Sequence, residues 1–233
     1  MRMIPFFAML IAAFMASCSP RETVKPSEFP MEKGTTWVYS YEAYHQAAAL
    51  DQILEATYRL TESVVDVERT STYLIAHVKK DYELVEADID WPGGEFTDDQ
   101  LETWYLRNES QIFESHLPVD TNNIQAEFFL LAYDLPISLG KSWCWPQVDL
   151  KSPDDKQIAN CEFVGKRTVT NEGSFQTPAG RFEACYELTE YFNSGNIIHW
   201  FCQGMGVVFR KFDHAGTRFG FEQTLLSHSV GAP

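Results

Sequence analysis

Positive charge is scarce in this chain: 18 Lys+Arg stand against 33 Asp+Glu, a formal charge of −15 over 233 residues. A surface this acidic lacks the cationic patch that seeks phosphate, which argues against nucleic acid as a partner. Anionic lipid headgroups repel it as well, so charge cannot hold it to a membrane. The spacings that hold zinc are missing, since there is neither a Cys-x-x-Cys nor a His-x-x-x-His pair. No Gly-x-Ser-x-Gly elbow presents a nucleophile. The histidines (His45, His77, His116, His199, His214 and His228) therefore read as surface or strand-face residues, and neither catalysis nor a cofactor is expected. Long apolar runs are missing too: Ile4–Met15 spans 12 residues, short of the roughly 20 that cross a bilayer as a helix.

That short run has a different meaning. Arg2 precedes it, and the small residues Ala16 and Ser17 follow it, which is the layout of an export signal with its cleavage site. Cys18 comes next. The arrangement resembles the bacterial lipobox, in which the cysteine is diacylated and becomes the new N-terminus. The resemblance implies a signal peptide over 1–17, lipidation at Cys18, and a cell-envelope protein held to the membrane through N-terminal acyl chains. Loss of 1–17 removes Arg2 and no acid, so the mature chain carries 17 basic and 33 acidic residues, a charge of −16. Ser19–Pro30 holds three prolines and reads as an extended tether over 18–30, leaving 31–233 as one domain.

Four cysteines remain after Cys18: Cys144, Cys161, Cys185 and Cys202. An even number in an exported chain points to disulfides. A hairpin centred on Asn193-Ser194 sets Cys185 directly opposite Cys202, where a bridge can close. Cys144 is then left to pair with Cys161.

Alternation with a period of two dominates the domain. Trp37, Tyr39 and Tyr41 mark a first strand, and Leu54, Ala56, Tyr58 and Leu60 a second. Thr72–Lys79 and Tyr82–Ala87 read as two further short strands, while Trp104–Arg107 and Gln111–Glu114 flank a hairpin turn at Asn108-Glu109-Ser110. Glu127–Tyr133 is apolar and fits a buried strand or a single helical turn, the strand being favoured because Pro136 follows, and 97–102 has room for a short helix behind an N-cap. In the last third, Thr177-Pro178-Ala179-Gly180 and Asn193–Asn196 are turns between strands at 167–176, 181–192 and 197–203, and strands at 207–212 and 217–226 follow the flexible Gly204-Met205-Gly206. The fold expected is mainly β: a single, strongly curved antiparallel sheet, a half-barrel or open barrel, with a meander in its last third.

Three motifs recur in order: Gly34-x-x-Trp37-x-Tyr39, Pro178-Ala179-Gly180-x-Phe182 and Gly204-x-Gly206-Val207-Val208. Together they resemble a group of uncharacterised bacterial envelope lipoproteins. The resemblance implies a curved sheet like the half-barrel of lipoprotein carriers, and it implies no reaction.

The acidic segment 88–99 has the Asp88-x-Asp90 start of a calcium loop, but Pro92 occupies the next ligand position and the closing glutamate is absent. It is expected to be metal-free. Aromatic residues make up 14% of the chain, enough both to fill a core and to line a groove. Trp91, set among polar loop residues, is the one least explained by core filling. The reading that follows is a non-enzymatic, membrane-anchored envelope lipoprotein that binds an apolar ligand or a protein partner on its curved sheet. The alternatives are a structural or assembly subunit of an envelope complex, with no ligand groove, and, third, a hydrolase.

Overall fold

The computed structural model describes residues 29–46, 52–92, 101–120, 124, 129–144, 166–192 and 195–231. Cys18 and the whole signal region lie outside these residues, as do Cys161 and most of the acidic segment. The expected helix at 97–102 falls largely outside them too; Leu101 is helical and Glu102 already opens a strand.

Twelve strands form one antiparallel sheet. They are β1 (Thr36–Gln46), β2 (Ile53–Arg69), β3 (Leu74–Ala87), β4 (Glu102–Arg107), β5 (Gln111–Ser115), β6 (Leu130–Asp134), β7 (Ser142–Cys144), β8 (Lys166–Thr177), β9 (Gly180–Phe192), β10 (Gly195–Cys202), β11 (Gly206–His214) and β12 (Phe219–Ser229). Consecutive strands pair, except at one place. The order runs β6-β5-β4-β3-β2-β1-β12-β11-β10-β9-β8-β7, so the first and last strands pair with each other and the sheet is left open between β6 and β7. The expected curved antiparallel sheet is therefore present as a nearly closed up-and-down barrel with one seam. Closure removes every free edge but two, and those two strands are short, at 5 and 3 residues.

The turns follow their chemistry. Pro178 and Ala179 are the two turn residues between β8 and β9, with Thr177 opposite Gly180. Gly204 and Gly206 both take positive φ, 72° and 90°, and turn the chain sharply between β10 and β11. The sequence departs from the structure in β3. Thr72–Lys79 and Tyr82–Ala87 are not two strands but one, because Lys80 points into the barrel opposite Glu62 and the ladder continues through it. β2 and β3 make a single long hairpin with two bulges, which add the twist that closure needs.

The core begins earlier than the tether reading assigns it. Phe29 is only 6% exposed, and Pro30 is buried beside it, so these two residues belong to the domain and not to the tether. The Phe29 ring stacks on Phe201 at 5.6 Å and meets Tyr105 and Tyr133 at 5.8 and 6.1 Å. Arg107 fixes its backbone by donating from Nη1 to the Phe29 carbonyl at 3.1 Å. This segment fills one end of the barrel like a plug, together with Met31, Trp37 and Leu225.

The seam is held by side chains in place of a ladder. Arg167 of β8 donates from Nη1 to the Ala132 carbonyl of β6 at 2.7 Å. Lys141 donates to the Asp134 carbonyl at 2.7 Å and pairs with the Asp134 carboxylate at 2.9 Å. Cys185 and Cys202 lie opposite each other in the β9–β10 register and are bridged, as the hairpin arithmetic predicts. Cys144 is also disulfide-bonded; its expected partner, Cys161, lies outside the described residues.

Candidate functional site

A barrel strand sends alternate side chains inward. Following the register around the sheet gives an interior of three layers. The apolar plug around Phe29 is the first. Aromatic rings at the other end are the third: Tyr41 stacks on Phe221 at 5.1 Å and meets Tyr82 edge-on at 5.5 Å, and Phe212 meets Phe221 at 6.1 Å. Trp91 joins this end by donating from its indole to the Tyr58 hydroxyl at 3.1 Å, which accounts for an aromatic residue in a polar loop.

Between them lies a belt of charge. Glu62, Lys80, Glu114, Arg167, Glu190 and Arg210 all face inward, three acids and three bases. Buried charges persist only when paired or bridged by polar groups. Arg167 is the best paired: Nε meets Glu190 at 2.7 Å, Nη2 faces Glu114 at 3.7 Å, and Nη1 is on the Ala132 carbonyl. Burial opposes the Arg167 charge, but Glu190 and Glu114 more than offset it and raise its pKa. Burial likewise pushes the Glu114 carboxyl up, and the Arg167 and Arg210 charges outweigh that and hold it ionised, below its ordinary value. Lys80 lies 4.0 Å from Glu62, and burial lowers its pKa despite that partner.

Arg210 is different. Among the described residues no carboxylate comes within ion-pair distance of its guanidinium. Burial works against its charge, but Tyr105, Tyr133, Glu114 and Glu62 around it prevail and keep it protonated. His199 sits directly across the β10–β11 pair from Arg210. It is 2% exposed: of the two expected settings, surface or strand face, it has the second, and the face of β10 it occupies is the buried one. Burial, then the charges of Arg167 and Arg210, drive its pKa well below the ordinary value, and the ring is neutral. Among the described residues its Nε2 has no hydrogen-bond partner, and neither does the hydroxyl of Thr103, which is 1% exposed.

These groups surround a cavity of about 380 Å³. Arg210, His199, Thr103, Glu114 and Lys80 are among its walls, and Leu130, Ile197 and the exposed His116 lie toward its rim. Its volume falls within the range of small-molecule sites. Its lining does not. The expectation is an apolar ligand or a protein partner on the sheet. At this cavity the charged lining suits a polar molecule better, since an apolar one would strip water from the ions and return nothing.

The remaining sequence candidates resolve differently. Asp88 accepts from the Glu55 amide at 2.8 Å, an ordinary structural contact at the start of the long β2–β3 hairpin. Among the described residues no three His, Cys, Asp or Glu side chains converge on a point that could hold a metal ion. Nor is any described helix long and apolar enough to cross a membrane. The turn motifs at Gly34, Pro178 and Gly204 lie at strand junctions. Trp37 does more, donating from its indole to the Met205 carbonyl at 2.8 Å and so tying the first motif to the third.

The neutral, buried His199 has a measurable consequence. In the unfolded chain it titrates near 6.5, whereas in the folded chain it stays neutral at lower pH. Below that pH the unfolded state binds the extra proton, so stability falls as pH falls, by up to about 1.4 kcal/mol per unit. Urea unfolding should show this loss between pH 7 and pH 5. His199→Gln should flatten the slope in that window, and an unchanged slope would mean that other groups carry it.

No family model matches the chain, and no curated protein matches it. Solved structures of similar shape exist. One, described as a "putative lipoprotein" from Parabacteroides distasonis, is 13% identical with a TM-score of 0.45, covering 90% of this chain and all of that one. A "putative exported protein with YmcC-like fold" from Bacteroides fragilis is 12% identical at the same TM-score, covering 89% of this chain. A hypothetical protein from Chlamydia trachomatis is 7% identical with a TM-score of 0.31 and covers 87% of this chain. Likeness at this level transfers no role.

Proposed function

We propose that this chain is a lipid-anchored envelope protein whose barrel is a binding module for a small polar ligand, and that it carries out no reaction. The observation that carries the binding reading is the charged cavity walled by Arg210, His199 and Thr103: among the described residues Arg210 has no carboxylate within ion-pair distance, and His199 Nε2 and Thr103 Oγ1 have no hydrogen-bond partner. Polar groups buried at a cost are retained where something satisfies them. Among the described residues none does so. Against catalysis, the described lining holds no serine or cysteine nucleophile, and the neutral His199 faces arginines and not an orienting carboxylate. The envelope address rests on Arg2, the run Ile4–Met15 and Ala16-Ser17-Cys18. The same signal supports membership of the uncharacterised envelope lipoproteins that the three turn motifs resemble.

Two measurements test this reading. Mass spectrometry of the mature N-terminal peptide should find a diacylated Cys18 and nothing of residues 1–17; a lipid-free chain starting elsewhere would reject the anchor. Native mass spectrometry of protein extracted gently from its own membrane should show a small-molecule adduct that Thr103→Leu, which pushes an apolar branch into the cavity, abolishes. Identical adduct-free spectra for both proteins would leave the structural-subunit reading in its place.

A further inference from the structure

From the interior belt we infer that the cavity takes a monoanionic carboxylate carrying a ring or a short apolar body, with its carboxylate on Arg210. This rests on the binding reading above and adds the ligand's chemistry. The first ground is charge. Arg167 shows what the belt does with a buried carboxylate: it holds Glu190 at 2.7 Å, in a pair whose acid is 3% exposed. Arg210 lies three strands further round the same belt, on β11, and among the described residues no carboxylate is within ion-pair distance of it. A planar guanidinium offers a fork that matches carboxylate geometry, and an unpaired one inside a barrel is costly. A ligand carboxylate would repeat the Arg167–Glu190 arrangement at a second point.

The second ground is the unsatisfied pair beside it. His199 and Thr103 both line the cavity, both are nearly fully buried, and among the described residues neither His199 Nε2 nor Thr103 Oγ1 has a hydrogen-bond partner, so a small rotation of either side chain would bring it to a ligand. A hydroxyl donates as well as accepts, and a neutral imidazole does one or the other at each nitrogen. These suit the second carboxylate oxygen or a ligand hydroxyl.

The third ground selects among anions. Glu62 and Glu114 act on Arg210 from beyond contact distance. Their repulsion falls on any anion beside the guanidinium, and least on one that carries a single charge. A dianion such as phosphate would meet the same two carboxylates with twice the charge, so the belt discriminates against it. The ligand's body is set by what lies outward of Arg210. Ile197 and Leu130 line the cavity, Ile197 is paired with Phe212, and Phe212 packs on Phe221 in the aromatic end of the barrel. A charged head followed by an apolar body matches that gradient.

The test uses the acylated full chain in a non-ionic detergent, with benzoate and hexanoate as probes, benzamide and hexanamide as neutral matches of the same shape, and inorganic phosphate. Calorimetry should show saturable one-to-one binding of the carboxylates, at least tenfold weaker binding of the amides, and none of phosphate. Arg210→Gln should lose the carboxylates by tenfold or more. Because that variant loses a buried charge and could fail to fold, Thr103→Leu is measured beside it: it keeps Arg210 and should also lose binding by filling the cavity. If the amides bind as tightly as the acids and Thr103→Leu abolishes both, the cavity binds ligand but not by this chemistry, and the inference falls while the binding reading stands. Binding of phosphate at the strength of benzoate would overturn it in the same way. If no probe saturates at ten millimolar, the carboxylate assignment is wrong whatever the adduct spectra show.

Discussion

Replacing Arg167 with Met should destabilise this protein by about 3–5 kcal/mol, the cost of breaking a buried pair from one side. The reason is specific to the barrel. Arg167 Nε is 2.7 Å from Glu190, which is 3% exposed, and without the guanidinium that carboxylate is buried alone. The same side chain holds the open seam, through its bond to the Ala132 carbonyl of β6. For a domain near 200 residues the loss corresponds to a fall in Tm of roughly 6–20 °C. The double change Arg167→Met with Glu190→Met should recover most of it, because two apolar side chains of similar volume leave no stranded charge. What the double change cannot restore is the bond across the seam. Thermal unfolding of the three proteins at one pH checks this, and a single variant within 1 kcal/mol of the parent would show that the seam is held elsewhere.

Phe29→Ala should cost about 3–5 kcal/mol, as large aromatic truncations in a core do. Phe29 precedes the first strand and would be dismissed as tether by sequence position. Yet its ring lies parallel to that of Phe201 and against Tyr105 and Tyr133, on strands from opposite halves of the sheet. Removing it takes the plug from the barrel end and exposes the apolar face of Trp37 and Val64 beneath, which share the small void beside it. Tyr191→Ala is the control, since its ring is 55% exposed and its loss should stay within about 0.5 kcal/mol. Urea unfolding monitored by tryptophan fluorescence measures both. If Phe29→Ala costs under 1 kcal/mol, the segment undocks locally and the plug is peripheral to the fold.

The strand pattern was legible because a barrel imposes a period of two on every strand, and turn residues mark its corners. Trp37, Tyr39 and Tyr41 alternate in the sequence and point inward in the structure. The Pro178-Ala179 turn fixes the register of β8 with β9, and the spacing about residues 193–194 fixes the register of β9 with β10 that sets Cys185 opposite Cys202. The candidate site was not legible for the opposite reason. Lys79-Lys80 reads as a polar break, and only the continuing ladder shows that Lys80 turns inward to Glu62. His199 sits in Ile-Ile-His-Trp-Phe, where nothing local shows that its strand face is the buried one, across the strand pair from Arg210.

By itself, then, the sequence determined that this is a curved antiparallel sheet, because periodicity and turn chemistry act over a few residues each. The tertiary structure alone decided that the sheet closes to a single seam, that Phe29 plugs one end, and that Glu62, Lys80, Glu114, Arg167, Glu190 and Arg210 meet inside. These six residues come from β2, β3, β5, β8, β9 and β11. What brings them together is the register of neighbouring strands summed around the barrel. A charge that reads as solvated in any one strand becomes a buried partner only when the circle is nearly complete.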